Sequence, residues 1–260
     1  MTVRRGRCNR RTPSNGTPMN RDLQDVALNL QQSVAHIELR RPEKRNALTL
    51  SMFAALADLL AEAEEDPRAR VILVSGAGST FCAGHDLEAF SAWPQRPEDP
   101  VPRFLHAIAA VRKPVVMAVQ GAAAGIGVTW LLHADWVVAA PDARLRLPFV
   151  DLGIAPEGAS TVLLAKAVGS QRAKRLLMSA EPFTGVQAHD WGLVTELAPA
   201  AALIDVARER ATRLATKDPI ALRRVKDWLH PPGEFDARID EEIDGINAAV
   251  LRQRHTGVAP

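Results

Sequence analysis

The chain contains no tyrosine and only two cysteines, Cys8 and Cys82. Two cysteines build no disulfide framework, and their spacing matches no metal-binding pattern, so no metal is expected. That usage fits a reducing, cytoplasmic setting. No apolar run approaches the roughly 20 residues that span a bilayer, so no membrane partner is expected. Formal net charge is only +2, and bulk charge therefore gives no reason to expect nucleic acid or an anionic lipid surface. What is present is an apolar fraction of 47% over 260 residues. That is enough for one large core, as a single domain or a domain with an appendage.

Residues 1–21 stand apart. Arg4, Arg5, Arg7, Arg10, Arg11 and Arg21 occur there with no acid before Asp22. The segment reads as a disordered tail. A transit peptide or a true start at Met19 are the other readings. Residues 22–199 then alternate between strand and helix signals. Val34 to Leu39 predicts a strand, and Thr49 caps a helix that carries Leu50, Phe53, Leu56, Leu59 and Leu60 on one face. Val71 to Val74, Val115 to Val119 and Trp136 to Ala139 are short apolar runs that predict buried strands, and Val128 to His133 has a helical pattern. Strand, turn and helix repeating at this spacing predict an α/β fold with right-handed crossovers. Residues 200–260 are helical: Ala200 to Thr216, Ile220 to Leu229 and Phe235 to Arg252. Trp130, Trp136, Trp191 and Trp228 are expected in the core.

Two stretches carry the chemistry. The first is Gly121 to Gly127, a glycine turn after a strand that opens a helix. It resembles the dinucleotide signature of short-chain dehydrogenases. In those enzymes the motif follows the first strand, and catalysis needs a tyrosine that this chain lacks. The alternative use of the same turn is an oxyanion hole, in which free backbone N–H groups hold charge on a carbonyl oxygen. The small-residue loop Phe81 to Leu87 is the candidate for a second donor, with Gly84 permitting close approach of a ligand.

The second stretch is Leu147 to Gly158. It reads as a strand end, a Gly/Pro turn, and a helix opening near Ser160. One carboxylate, Glu157, sits between Pro156 and Gly158. Loss of solvation in such a turn disfavours the charged form of an acid, which suits a proton-transfer group. Its plain alternative is an exposed loop glutamate. A nucleophilic Cys82/His85 pair and a second acid at Asp151 are also conceivable; Asp151 is expected to point away from the site.

Four blocks, Arg41 to Leu48, Phe81 to Leu87, Gln120 to Gly127 and Leu147 to Gly158, together resemble the crotonase superfamily of enoyl-CoA hydratases and isomerases. A weaker fifth runs from Ala188 to Val194. The resemblance extends from about residue 22 to the C-terminus. It implies a spiral of ββα units (the ClpP/crotonase fold), a C-terminal helical trimerisation region, and a homotrimer or dimer of trimers. The ligand is then a coenzyme A thioester, with no permanently bound cofactor.

Carried over by position, the oxyanion N–H groups belong to His85 and Ile126. Substrate or coenzyme A contacts fall on Lys44, Arg45, Ala47, Ala83, Gly84, Asp86, Leu87, Gly125, Thr129, Pro148, Phe149 and Leu152. The two water-positioning glutamates of classical hydratases are replaced by Thr129 and Phe149. Glu157 instead stands where peroxisomal-type Δ3,Δ2-enoyl-CoA isomerases carry their base. Isomerisation of a 3-enoyl-CoA is therefore expected. The alternatives are an enoyl-CoA hydratase (a lyase) of fatty-acid degradation and a non-catalytic acyl-CoA binder. Ile126 replaces the usual glycine, and its side chain is expected to narrow the pocket.

Overall fold

The large sheet has seven strands in the order β1-β2-β3-β4-β5-β7-β10. The computed structural model describes residues 20–256. A hairpin of β1 (Asn20–Leu23) and β2 (Val26–Gln31) leads antiparallel into β3 (Val34–Leu39). From β3 onward every pairing is parallel: β4 (Val71–Gly76), β5 (Val115–Val119), β7 (Trp136–Ala139) and β10 (Glu196–Leu197). Parallel strands need crossovers, and those put helices on both faces. This explains the unbroken apolar runs: in β4, Ile72 and Val74 face one side and Val71 and Leu73 the other, all buried.

The first face is covered by α1 (Leu50–Glu65) and α3 (Pro100–Ala110). The Thr49 hydroxyl accepts from the Met52 N–H at 3.2 Å and starts α1 as expected; such a cap contributes about 1 kcal/mol. The other face is covered by α8 (Leu203–Ala215). Leu203, Ala207, Ala211 and Ala215 recur every four residues and form one stripe against Val71, Leu73, Val116 and Val138. The boundary expected at residue 200 is therefore not a packing boundary. The helix that follows it completes the sheet's second layer.

A small second sheet determines where the site lies. It consists of β6 (Ala122–Ala124), β8 (Arg144–Arg146) and β9 (Phe183–Thr184). Cys82 joins its edge through a parallel bridge to Ala123. Three successive passes of the chain thus have one form: a strand in the large sheet, a short strand or bridge in the small one, then a loop and a helix. These helices are α2 (Leu87–Phe90), α4 (Ile126–Thr129) and α5 (Ser160–Val168). The repeated strand, strand and helix is the spiral that the family resemblance implies.

Beyond α5 lie α6 (Ser170–Ser179), α7 (Gly185–Asp190), α9 (Pro219–Leu229) and α10 (Asp236–Thr256). α10 returns across α3 toward the cavity. Of the four tryptophans expected in the core, Trp130 is buried and Trp136 and Trp191 are partly buried, but Trp228 on α9 is 76% exposed. It faces out together with Ile220 and Leu229 of the same helix, on a side that no described helix covers. Residues 1–19 of the Arg-rich tail lie outside the described residues, and Asn20 and Arg21 form the start of β1. No described helix is long and apolar enough to cross a membrane.

Candidate active site

The three loops that follow the small sheet converge. At the bridge, the Cys82 N–H donates to the Ala122 carbonyl at 3.2 Å, and the Ala124 N–H donates to the Cys82 carbonyl at 3.0 Å. Each chain then runs three residues from the bridged pair, to His85 on one side and Ile126 on the other. Glycine makes this closeness possible. A Cβ on Gly84 (φ +101°) would lie 2.9 Å from the Ala124 carbonyl, and one on Gly127 only 2.5 Å from the Cys82 carbonyl. Among the described residues, neither the His85 N–H nor the Ile126 N–H donates to another backbone group. Two free amides therefore stand on adjoining loops. α4 is a single turn, so its dipole adds little; the unpaired N–H itself is what can bind an anion.

The His85 loop is braced from a second side. Leu48 bridges His85, with the Leu48 N–H donating to Gly84 and the Asp86 N–H to Leu48 at 2.8 and 2.9 Å. Asn46, fully buried, accepts from the Arg41 N–H at 2.9 Å and donates to the Ala77 and Thr80 carbonyls at 2.9 and 2.7 Å. The Arg41 guanidinium pairs with the Asp86 carboxylate. Asp86 thus fastens the loop and does not line the cavity. Lys44 and Arg45 are exposed on the turn Pro42–Lys44 and its cap, and Ala47 is partly buried behind them. The side chain of Leu87 lies outside the described residues.

Glu157 sits in the third loop at 2% exposure. Gly158 (φ +69°) and Ala159 (φ +56°) turn the chain sharply after it, into α5. The turn is pinned from behind by His133, whose Nε2 is 2.8 Å from the Gly158 carbonyl. Burial pushes His133 down to about 4, so the ring is neutral at pH 7 and Nε2 carries the donated proton. The Glu157 Oε2 is 3.2 Å from His85 Nε2, and Oε1 has no partner among the described residues. The plain alternative, an exposed loop glutamate, is ruled out.

His85 and Glu157 face a cavity of about 170 Å³, and Ile126 is not among the residues that line it. Ala83, Gly84, His85, Ala124 and Gly125 form its backbone-rich side. Pro148, Phe149, Leu152, Ile154 and Glu157 come from the third loop, while Phe90, Trp93 and Ile246 close it with apolar surface. Of the residues expected from the sequence, Ala83, Gly84, His85, Gly125, Pro148, Phe149, Leu152 and Glu157 meet here; Lys44, Arg45, Ala47, Asp86 and Thr129 do not line the cavity. Thr129 is fully buried, with its hydroxyl unpartnered beside Gly158. Ile126 is a correction: its side chain packs in the core and does not narrow the cavity.

Two other readings are settled. Burial pushes the Cys82 thiol up to about 12, so it supplies no thiolate near pH 7 and the Cys82/His85 nucleophile is excluded. Asp151 pairs with Arg146 at the surface and points away, as expected. The sequence did not signal Phe90, Trp93 or Ile246. Ile246 comes from the last helix, and its helical spacing marks only a buried face. His85 was expected through its backbone alone, but its ring also reaches the acid.

Comparisons with known proteins show the family and the fold. The enoyl-CoA hydratase/isomerase family model matches residues 29–245. The 1,2-epoxyphenylacetyl-CoA isomerase of Escherichia coli K12 is 33% identical over 229 residues, covering 84% of this chain and 87% of that protein. The 2,3-dehydroadipyl-CoA hydratase of the same organism is 31% identical, covering 91% and 95%. Among solved structures, OdaA of Pseudomonas aeruginosa superposes with a TM-score of 0.84 at 35% identity, covering 88% and 94%. An enoyl-CoA hydratase/isomerase of Pseudoalteromonas atlantica superposes at 0.83 with 32% identity, covering 91% and 99%. The two Escherichia coli relatives divide between an isomerase and a hydratase, and both are named for a coenzyme A thioester. The chain accordingly belongs to the enoyl-CoA hydratase/isomerase family of the crotonase superfamily, and is an acyl-CoA enzyme.

Proposed function

We propose that the protein moves the double bond of a 3-enoyl-CoA to the 2-position, with Glu157 as its single acid–base group. The observation that carries this reading is the cavity wall: among the described residues, Glu157 is the one carboxylate that lines it. The two positions that hold hydratase glutamates offer a buried threonine and the apolar ring of Phe149. Neither activates water at neutral pH.

In this mechanism the thioester oxygen accepts from the N–H groups of His85 and Ile126. Glu157 takes a proton from C2, and the electron pair moves onto the thioester oxygen as a dienolate. One such donor typically lowers the barrier by about 3 kcal/mol. Protonated Glu157 then delivers the proton to C4, and the pair returns as the C2–C3 double bond. A single carboxylate suffices because the proton leaves and returns on one face of the ligand. Phe149, Trp93 and Ile246 keep water from the intermediate, and the exposed cations Lys44 and Arg45 suit the coenzyme A phosphates.

The test is incubation of the purified protein with a 3-enoyl-CoA and, separately, a 2-enoyl-CoA. Double-bond migration without hydration is the expected result. Hydration of the 2-enoyl-CoA at a comparable rate would make the protein a hydratase. Binding of both without turnover would make it a carrier. We also read the exposed apolar residues Ile220, Trp228 and Leu229 of α9 as an oligomer contact. Light scattering should then give a trimer or a hexamer, and a monomer would refute that reading.

A further inference from the structure

We propose that the His85 side chain is a positioning residue for the base: its imidazole Nε2–H holds the Glu157 carboxylate through Oε2 and leaves Oε1 as the oxygen that takes the substrate proton. This rests on the reading of Glu157 as base. The contact is 3.2 Å long, between side chains only 6% and 3% exposed. Among the described residues, Glu157 is the only charged group hydrogen-bonded to the ring.

The tautomer follows from the surroundings. A carboxylate waiting for a proton only accepts, so Nε2 must donate. The ring lies among Phe53, Phe90 and Trp93, with centroids 4.6, 5.1 and 6.4 Å away. Its Nδ1 is buried without a partner. A proton on Nδ1 would be an orphaned donor in an apolar cage, at a cost of roughly 1–3 kcal/mol. The neutral Nε2–H form avoids that cost and fixes the carboxylate's rotation.

A structural consequence follows. The His85 backbone N–H faces the thioester oxygen, and its ring faces the base. One residue therefore sets the spacing between the group that accepts negative charge and the group that removes the proton. A misplacement of about 1 Å in such a pair costs on the order of 100-fold in rate. Substitution at His85 leaves the backbone amide in place, so the two roles can be separated.

The experiment compares His85→Phe, His85→Leu and His85→Gln with wild type and Glu157→Gln. Two readouts are used: isomerisation of a 3-enoyl-CoA, and deuterium uptake at C2 of a saturated acyl-CoA in D₂O. Phe keeps the ring packing and Leu the bulk, both without a donor; Gln restores an N–H. We expect kcat about 10- to 100-fold lower for the first two with KM within threefold, and recovery to within about fivefold for Gln. If the Phe and Leu variants stay within twofold of wild type, or Gln is as impaired as they are while Glu157→Gln is inactive, the positioning role is wrong and the base assignment stands. If wild type takes up deuterium but does not isomerise, the double-bond reading falls and His85 is judged on the exchange rates. If Glu157→Gln exchanges as fast as wild type, or wild type shows neither activity, both ideas fall. A readout independent of activity is the ¹⁵N spectrum of wild-type histidines. It should show His85 protonated at Nε2 and perturbed by Glu157→Gln; protonation at Nδ1 alone overturns the proposal.

Discussion

The two walls of the cavity are held in different ways. The wall that carries the His85 and Ile126 loops is backbone bonded to backbone: Cys82 to Ala122 and Ala124, Gly125 to Arg146, Leu48 to Gly84. The wall that carries the acid and the acyl surface is tied by side chains of α10. Asn247 bonds Gln95 twice, at 2.7 and 2.9 Å, Gln253 donates to the Leu152 carbonyl at 2.8 Å, and Glu242 accepts from Thr161. The first wall leans in addition on Asn46 and the Arg41–Asp86 pair, and it leaves no room for a Cβ at Gly84 or Gly127. The second depends on side-chain identity in a helix distant in sequence.

Glu157→Gln should separate the walls most sharply. The acid wall loses its base while the amides remain. We expect kcat to fall by about 10³-fold, with acyl-CoA affinity within a few fold of wild type; steady-state kinetics and calorimetric titration measure the two. Gly127→Ala is the converse. The new Cβ would press on the Cys82 carbonyl and Cβ and part the two loops. Loss of one donor's alignment predicts a decrease of about 10²-fold in kcat. A variant with wild-type kcat would show that the glycine is not what brings the amides together.

Ile246→Ala tests the acyl surface contributed by α10. The side chain is 1% exposed and lines the cavity. Removing it should lower kcat/KM for short acyl chains about 10-fold, and improve it relative to wild type for longer ones. A chain-length series on both proteins checks this. An unchanged preference would place the acyl group elsewhere.

The same contrast decides what was legible in the sequence. The strands β3, β4, β5 and β7 and the Thr49 cap follow from local patterns of apolar residues and one hydroxyl. Glu157 and the two amide loops follow from glycine and proline around a lone acid, sharpened by the family resemblance. The hairpin β1–β2 gave no such signal, because its exposed polar residues interrupt the alternation. α3 was hidden by Pro100 and Pro102, which are tolerated in a helix's first turn. The role of α8 as a second layer, the exposure of Trp228 and the reach of Ile246 into the cavity were not readable. Each depends on which distant element a helix face meets, and periodicity identifies a face without naming its partner.

The last expected effect is on stability alone and concerns Glu242, which ties the acid wall to α10. It is 5% exposed; Oε1 accepts from the Thr161 N–H and hydroxyl at 3.2 and 2.6 Å, and Oε2 has no partner. Burial raises its carboxyl from the ordinary 4.5 to about 7, against the Thr161 hydrogen bonds and with help from the charge of Glu157. Between these values the folded protein keeps a proton that the unfolded chain releases, so stability falls as pH rises through the window and levels off above 7. The full effect is on the order of 3 kcal/mol. His133, lowered to about 4, acts with the opposite sign: below its ordinary 6.5 the unfolded chain takes up a proton that the folded protein refuses, and stability falls as pH drops. The informative quantity is therefore the difference between Glu242→Gln and wild type. Gln keeps the acceptor for Thr161 and cannot ionise, so the variant should gain in melting temperature relative to wild type from pH 5 to pH 8, by several degrees at the upper end. A difference independent of pH would mean that Glu242 does not titrate in that window, and that α10 holds the acid wall by packing alone.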